Sequence, residues 1–232
     1  MRTNVIKCHS PKHKHKPFAI RELPMHASHI YLSALELPVL KSHDFLGRTR
    51  LTHLHITGSN IRTIQPNSFN ALSKLKELDL SNNKLQRING DETYRTPLMQ
   101  KLNLQMNDLK EIDGRLAEIM PNLEALLIDH NNLEDLPEYL STKPAEKLTS
   151  ISMGGNPFRC DCSQTQRFKT QAWLMDKKHR STVMDLTKVY CVENVTRSFL
   201  LNDSTILSAF PPNLSEDIFT MPMTEFLHQE NR

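Results

Sequence analysis

The sequence predicts an α/β solenoid, a short curved parallel sheet of about six stacked turns closed at its C-terminal end by a cysteine-containing cap. Three observations predict it. An apolar pattern recurs along most of the 232-residue chain at almost constant spacing. An asparagine recurs at one fixed place in that pattern. A Cys-Asp-Cys cluster begins where the last copy ends.

The pattern is L-x-x-L-x-L-x-x-N-x-L. It is met well by Leu75, Leu78, Leu80, Asn83 and Leu85, by Met99, Leu102, Leu104, Asn107 and Leu109, by Leu123, Leu126, Ile128, Asn131 and Leu133, and by Leu148, Ile151, Met153, Asn156 and Phe158. Two upstream copies are looser. Leu51, Leu54, Ile56 and Ile61 carry Ser59 at the asparagine position, and Ile30, Leu32 and Leu37 carry Leu35 there. The second leucine position falls at 30, 54, 78, 102, 126 and 151, a spacing of 24 four times and 25 once. A fixed period of this length is the mark of a leucine-rich-repeat solenoid.

Each L-x-L is expected to be a short strand, because a period of two sends both apolar side chains to one face. Stacked copies then form a parallel sheet. The asparagine must turn the chain, and its amide can bond neighbouring turns, so Asn83, Asn107, Asn131 and Asn156 are expected to form an internal ladder. Phe45 and Phe69, 24 residues apart, are expected on the convex side. A solenoid leaves its end repeats open and needs caps. The expected organisation is a remnant N-terminal flank over 1–28, repeats over 29–158, a cysteine flank over 159–215 and a tail, juxtamembrane in character, over 216–232.

Composition excludes several classes. Apolar residues make up 38% and charged residues 24%, enough for a core. A net charge of +3 with scattered basic residues, apart from the run Lys12 to Lys16, argues against nucleic acid as a partner. Six glycines, with no Gly-rich nucleotide loop, nucleophile elbow or His-Glu-x-x-His, argue against an enzyme and give no cofactor or catalytic residue. No apolar run reaches the roughly 18 residues of a membrane span, and the start lacks the apolar core of a secretory signal.

The run Asn156-Pro157-Phe158-Arg159-Cys160-Asp161-Cys162, followed by Trp173 and Cys191, resembles the C-terminal cysteine flank of extracellular leucine-rich-repeat proteins. The resemblance implies a Cys160–Cys191 disulfide. The family's fourth cysteine is missing, and Cys8 lies at the other end of the sheet, roughly 25 Å away at strand spacing, which leaves Cys162 unpaired. Zinc is the competing reading of C-x-C, although zinc sites use wider spacings and four ligands. Paired cysteines imply an oxidising compartment, hence an extracellular or cell-surface location. Three N-x-S/T sequons, at Asn194, Asn202 and Asn213, mark expected glycosylation sites.

The order of parts goes further. Cys8, Leu23-Pro24, Ile30-Tyr31-Leu32, Phe45 to Leu51, Ile64 to Phe69, and then Phe168, Trp173, Val183, Asp185, Val189 and Cys191 are similar to the membrane-proximal repeat block of insect Toll receptors. That resemblance implies part of a cell-surface receptor in innate immunity or development. It implies a protein ligand of the cystine-knot cytokine kind, or a second receptor chain, as partner. The family's membrane helix and signalling domain lie outside this sequence. The alternatives are a secreted or adhesion-type binder acting as a decoy, and an intracellular repeat scaffold.

Binding is expected on the concave sheet, where the variable positions of successive repeats form columns. One column reads His29, His53, Glu77, Lys101, Ala125, Ser150, and the next Tyr31, His55, Asp79, Asn103, Leu127, Ser152. Tyr31 with His29, His53, His55, Glu77, Asp79, Lys101 and Asn103 makes a polar, aromatic patch suited to protein recognition. Three histidines beside two carboxylates allow a charge change between pH 7 and 5. Metal binding by the three histidines is a weaker alternative, and solvated strand positions without a role are the plain one.

Overall fold

The computed structural model describes residues 4–9, 18–88, 96–113, 115, 119–136, 140, 147–159, 173–174, 177–194 and 218–222. One parallel sheet runs the length of the solenoid. Its strands are β1 (Val5–His9), β2 (His29–Ser33), β4 (His53–Thr57), β6 (Glu77–Asp79), β8 (Lys101–Asn103), β10 (Ala125–Leu127) and β11 (Ser150–Ser152), hydrogen-bonded in that order. The sheet is thus one strand longer than the six repeats read from sequence. The extra strand comes from the expected N-terminal flank, and it pairs Val5 with His29 and Ile6 with Ile30, the same 24-residue offset as every pair up to β10.

The two-residue period holds along the sheet. Ile30, Leu54, Leu78, Leu102, Leu126 and Ile151 point inward and are buried, as are Leu32, Ile56, Leu80, Leu104, Ile128 and Met153. Phe45 and Phe69 are both fully buried, with ring centroids 5.7 Å apart. Among the described residues the back of the solenoid carries turns and two short parallel pairs, β3 (Val39–Leu40) with β5 (Thr63–Ile64), and β7 (Arg87–Ile88) with β9 (Glu111–Ile112).

The asparagine ladder forms as the spacing requires. Asn107 donates its side-chain N–H groups to the carbonyls of Leu104 in its own repeat and Leu80 in the one before, each at 3.0 Å. Its oxygen accepts the Leu85 N–H at 3.1 Å. Asn83, Asn131 and Asn156 repeat the arrangement. A primary amide is needed because it donates and accepts at once from a buried position. Ser59 keeps part of the pattern: its hydroxyl oxygen accepts the Leu35 N–H, and its own N–H goes to Asn83.

One feature of the turn carries no letter in the repeat pattern. The residue just before each ladder position has positive φ: Ala34, Gly58, Asn82, Met106, His130 and Gly155, at 53°, 55°, 56°, 53°, 53° and 66°. This left-handed kink aims the residue's N–H at the next repeat, as with Met106 to the Asp129 carbonyl at 3.1 Å.

Both ends are closed by polar side chains. At the N-terminal end Arg48 is buried and donates to the carbonyls of Ile20, Leu23 and Pro24 at 2.9, 2.7 and 2.6 Å. At the C-terminal end β12 (Pro157–Arg159) leaves the last repeat and pairs parallel with β13 (Tyr190–Asn194). A third strand, β14 (Ile218–Pro222), pairs antiparallel with β13, so part of the expected tail belongs to the cap. The cap also holds helix α1 (Lys177–Thr182) and the buried residues Trp173 and Leu174. Among the described residues no helix is long and apolar enough to cross a membrane.

Candidate functional site

Strand register puts the exposed side chains of the sheet in columns. Val5, His29, His53, Glu77, Lys101, Ala125 and Ser150 are successive neighbours, and so are Lys7, Tyr31, His55, Asp79, Asn103, Leu127 and Ser152. Pairing of β1 with β2 adds Lys7 and His9 to the face. The signal for them was present, since Ile6 stands 24 residues before Ile30. A single copy beside a cysteine reads equally well as a flank.

In the first column the His29 and His53 rings stack, with centroids 4.3 Å apart and planes 7° from parallel. In the second, Tyr31 stacks on His55 at 4.6 Å, and the Lys7 ammonium lies 5.6 Å from the Tyr31 ring centroid. Strand spacing of about 4.8 Å holds flat side chains at stacking distance.

Hydroxyl neighbours set the ring tautomers. The Thr52 hydroxyl donates to the Ser28 carbonyl at 3.0 Å, so it accepts from the His53 Nδ1–H at 2.9 Å. Ser28 donates to the Asn4 carbonyl at 3.3 Å and accepts from the His29 Nδ1–H at 2.9 Å in the same way. In the neutral rings Nε2 therefore carries the lone pair, and a further proton adds there.

The carboxylates sit where the histidines end. Glu77 is bonded by Lys101 at 3.0 Å and lies 3.8 Å from His55 Nε2 and 3.9 Å from His53 Nε2. Asp79 faces His55 Nδ1 at 3.5 Å and accepts the Ser81 N–H at 2.9 Å. Burial pushes the Asp79 carboxyl up, but hydrogen bonds from His55 and Ser81 outweigh it and hold the carboxyl below its ordinary range. Burial lowers His53, and neighbouring His29 lowers it further against the pull of Glu77.

The structure separates the expected site residues into two groups. His29, Tyr31, His53, His55, Glu77 and Lys101 present surface on the open face. Asn103 is buried, with its oxygen on the Gln105 N–H at 3.1 Å, and Asp79 is turned to Ser81 in the same way, so both support the face more than they form it. Among the described residues no three His, Cys, Asp or Glu side chains converge to hold a metal. Parallel stacked rings send their lone pairs side by side and do not converge on one ion. Cys160, Cys162, Asn202, Asn213 and the side chains of Cys191 and Asn194 lie outside the described residues.

Sequence reasoning missed a second polar cluster further along. Asp129 accepts from Gln105 Nε2, Ser152 Oγ and His130 Nδ1, the last at 2.8 Å. Burial pushes its carboxyl up, and these three hydrogen bonds bring it below the ordinary range. Gln105, Asp129 and His130 fall in the turn after the strand, where the pattern gives no letter, and only Ser152 belongs to a column read from the sequence.

Fold and face together describe a leucine-rich-repeat solenoid with an open, polar face on its sheet. A family model described as leucine rich repeat matches residues 49–109. No curated protein matches the chain significantly. Among solved structures it is similar to the crystal structure of a TLR13–ssRNA13 complex, with a TM-score of 0.56 and 23% identity. The likeness covers 62% of this chain and 20% of that one, so the chain spans about one fifth of that receptor. At that identity the likeness extends to the fold alone.

Proposed function

We propose that the chain is a protein-binding module from the extracellular part of a Toll-like cell-surface receptor, acting in innate immune or developmental signalling. The observation that carries this reading is the uninterrupted open face from Lys7 to Lys101, on which aromatic and charged groups stand in register. Tyrosine and charged rings of this kind favour protein recognition. The likeness of fold to a Toll-like receptor supports the family, and the resemblance of the flanks supports the insect-type, membrane-proximal block. The partner is a protein ligand of the cystine-knot kind or a second receptor chain. The Cys160–Cys191 disulfide and glycans on Asn194, Asn202 and Asn213 belong to the same reading.

The test uses the full chain secreted from animal cells, with a photo-crosslinking amino acid at Tyr31 or, as control, at Glu111 in the back strand β9. Protein adducts at Tyr31 and none at Glu111 are expected. Equal labelling at both positions overturns the site. Intact-mass measurement of the same material without reductant checks the disulfide, and free thiols at both Cys160 and Cys191 overturn the extracellular reading.

A second reading has one observation in its favour: the similar structure is an RNA complex. On this reading the face binds an oligonucleotide. Two features weigh against it. The rings stack on one another and turn their edges outward, leaving few faces for bases. Glu77 also stands in the middle of the cations.

A further inference from the structure

The N-terminal half of the face has cations in excess of anions once its histidines are protonated. Glu77 is the more open of the two half-buried carboxylates there, and it is already shared by Lys101, His53 and His55. Asp79 is held by His55 and Ser81. Lys76 stands close enough to His53 to repel its proton. His29 has its Nδ1–H on Ser28, and its Nε2 meets no carboxylate among the described residues. Lys7 meets the Tyr31 ring, and His9 the Ser33 hydroxyl at 2.8 Å. With neutral histidines, Lys7, Lys76 and Lys101 stand against Glu77 and Asp79, an excess of a single positive charge. Protonation of His9, His29, His53 and His55 leaves a positive face whose missing counterpart is a carboxylate.

We propose that this face recognises a carboxylate-rich, acidic segment of a protein partner, and that protonation of its stacked histidines turns the recognition on. The inference rests on the reading of the face as a protein-binding site. Geometry supplies the switch. The proton enters at Nε2, which lies 3.9 Å from Glu77 at His53 but meets no carboxylate among the described residues at His29, where the new donor is left for a partner. Together with burial, the His29 ring stacked at 4.3 Å makes protonation of His53 costlier. A partner carboxylate placed between the two rings relieves that repulsion, so binding and protonation support each other. Burial of His53 works in the same direction, keeping the ring neutral until the solution is acid or the carboxylate arrives.

The experiment measures binding of a fluorescein-labelled octaglutamate peptide to the full chain at pH 7.5 and 5.5, at low salt, with circular dichroism confirming the fold at both. Affinity roughly tenfold higher at pH 5.5 is expected. The His29→Gln and His53→Gln double variant is expected to lose that gain, and His43→Gln, in an exposed turn away from the face, to keep it. Equal affinity at the two pH values overturns the switch, and so does a double variant that retains the gain. Absence of peptide binding to folded protein at either pH overturns the acidic chemistry, while crosslinking at Tyr31 still reports independently on the face. A 13-nucleotide oligouridine bound more tightly than the peptide overturns the choice of a protein partner.

Discussion

Asp185 takes the backbone N–H of Met153 on one carboxylate oxygen at 2.9 Å. Its other oxygen accepts the Gly154 N–H at 2.7 Å and lies 3.2 Å from the Ser152 hydroxyl. In the three preceding repeats the N–H equivalent to that of Met153 goes to a carbonyl of the next one, Leu80 to Asn103, Leu104 to Leu127 and Ile128 to Ser152. The last repeat has no successor, so the cap supplies a carboxylate in its place.

Replacing Asp185 by Ala leaves those N–H groups without their acceptor. Hydrogen bonds to a charged group are worth about 1.5–3 kcal/mol each in favourable cases, so a loss of roughly 2–4 kcal/mol is expected. Gly154→Ala should be comparably harmful, because the added methyl would meet Lys188 Cβ at 2.6 Å and Asp185 Oδ2 at 2.7 Å. Urea denaturation with far-UV detection reads both. A variant within about 0.5 kcal/mol of the parent would show that the cap closes the solenoid by other contacts.

The ladder gives a graded series. Asn107→Ala removes an acceptor for Leu85 and donors to Leu80 and Leu104, all in buried surroundings. A cost of about 2–4 kcal/mol is expected. Asn107→Ser should cost less, because Ser59 already shows a hydroxyl serving as acceptor in the same position. Equal losses for the two would mean that the amide's donors, not its acceptor, dominate the ladder.

Much of this architecture was legible in the sequence, and the reasons are physical. Ile30, Leu54 and Leu78 face one buried layer, so size and polarity are dictated there and the 24-residue period survives in the letters. The asparagines are dictated by hydrogen bonding, and Asp185 was picked out only as part of a flank resemblance. The kink before each ladder position was not legible, since Ala34, Asn82, Met106 and His130 share a φ but no chemistry. The histidine columns followed from register alone. Their stacking, their tautomers and the inward turn of Asn103 required coordinates.

That shared kink predicts a stabilising change. Met106 holds a φ of 53° with a side chain that is 55% exposed, so it pays a left-handed penalty without packing gain. Met106→Gly should raise stability by about 0.5–1 kcal/mol, and Met106→Asn by somewhat less. The reverse change at Gly155 should destabilise, because a methyl there meets the His130 ring at 3.1 Å and also has to adopt positive φ. Thermal melts of the three variants suffice, and a Met106→Gly protein that melts lower than the parent refutes the penalty.

Arg48 is the corresponding device at the other end. Its guanidinium ties three carbonyls of the segment 20–24, and burial lowers its affinity for the proton, although it remains a cation. Lys presents a single ammonium and cannot span the same fork. Arg48→Lys is expected to cost about 1–3 kcal/mol and Arg48→Met about 2–4 kcal/mol. Faster hydrogen exchange at Leu23, whose N–H bonds the Ile20 carbonyl, with little change in the repeats after Asn83, would localise the loss. Uniform exchange throughout would instead make the solenoid a single cooperative unit.

Acid should weaken the fold in two stages. His53 has its affinity for protons lowered from an ordinary value of 6.5. The unfolded chain therefore takes up that proton first, and stability falls as pH drops below about 6.5. Asp79 and Asp129 are lowered from 3.8 by their hydrogen bonds, which outweigh burial. Their contribution is present above the unfolded value and is lost as pH falls through the folded ones, so a second decline begins near pH 4. Urea unfolding at pH 7.5, 5.5, 4.0 and 3.0 resolves the stages. His53→Gln should flatten the first, and Asp129→Asn the second. Stability that rises between pH 7.5 and 5.5 would reverse the sign for His53 and place Glu77, not burial and His29, in control of that ring.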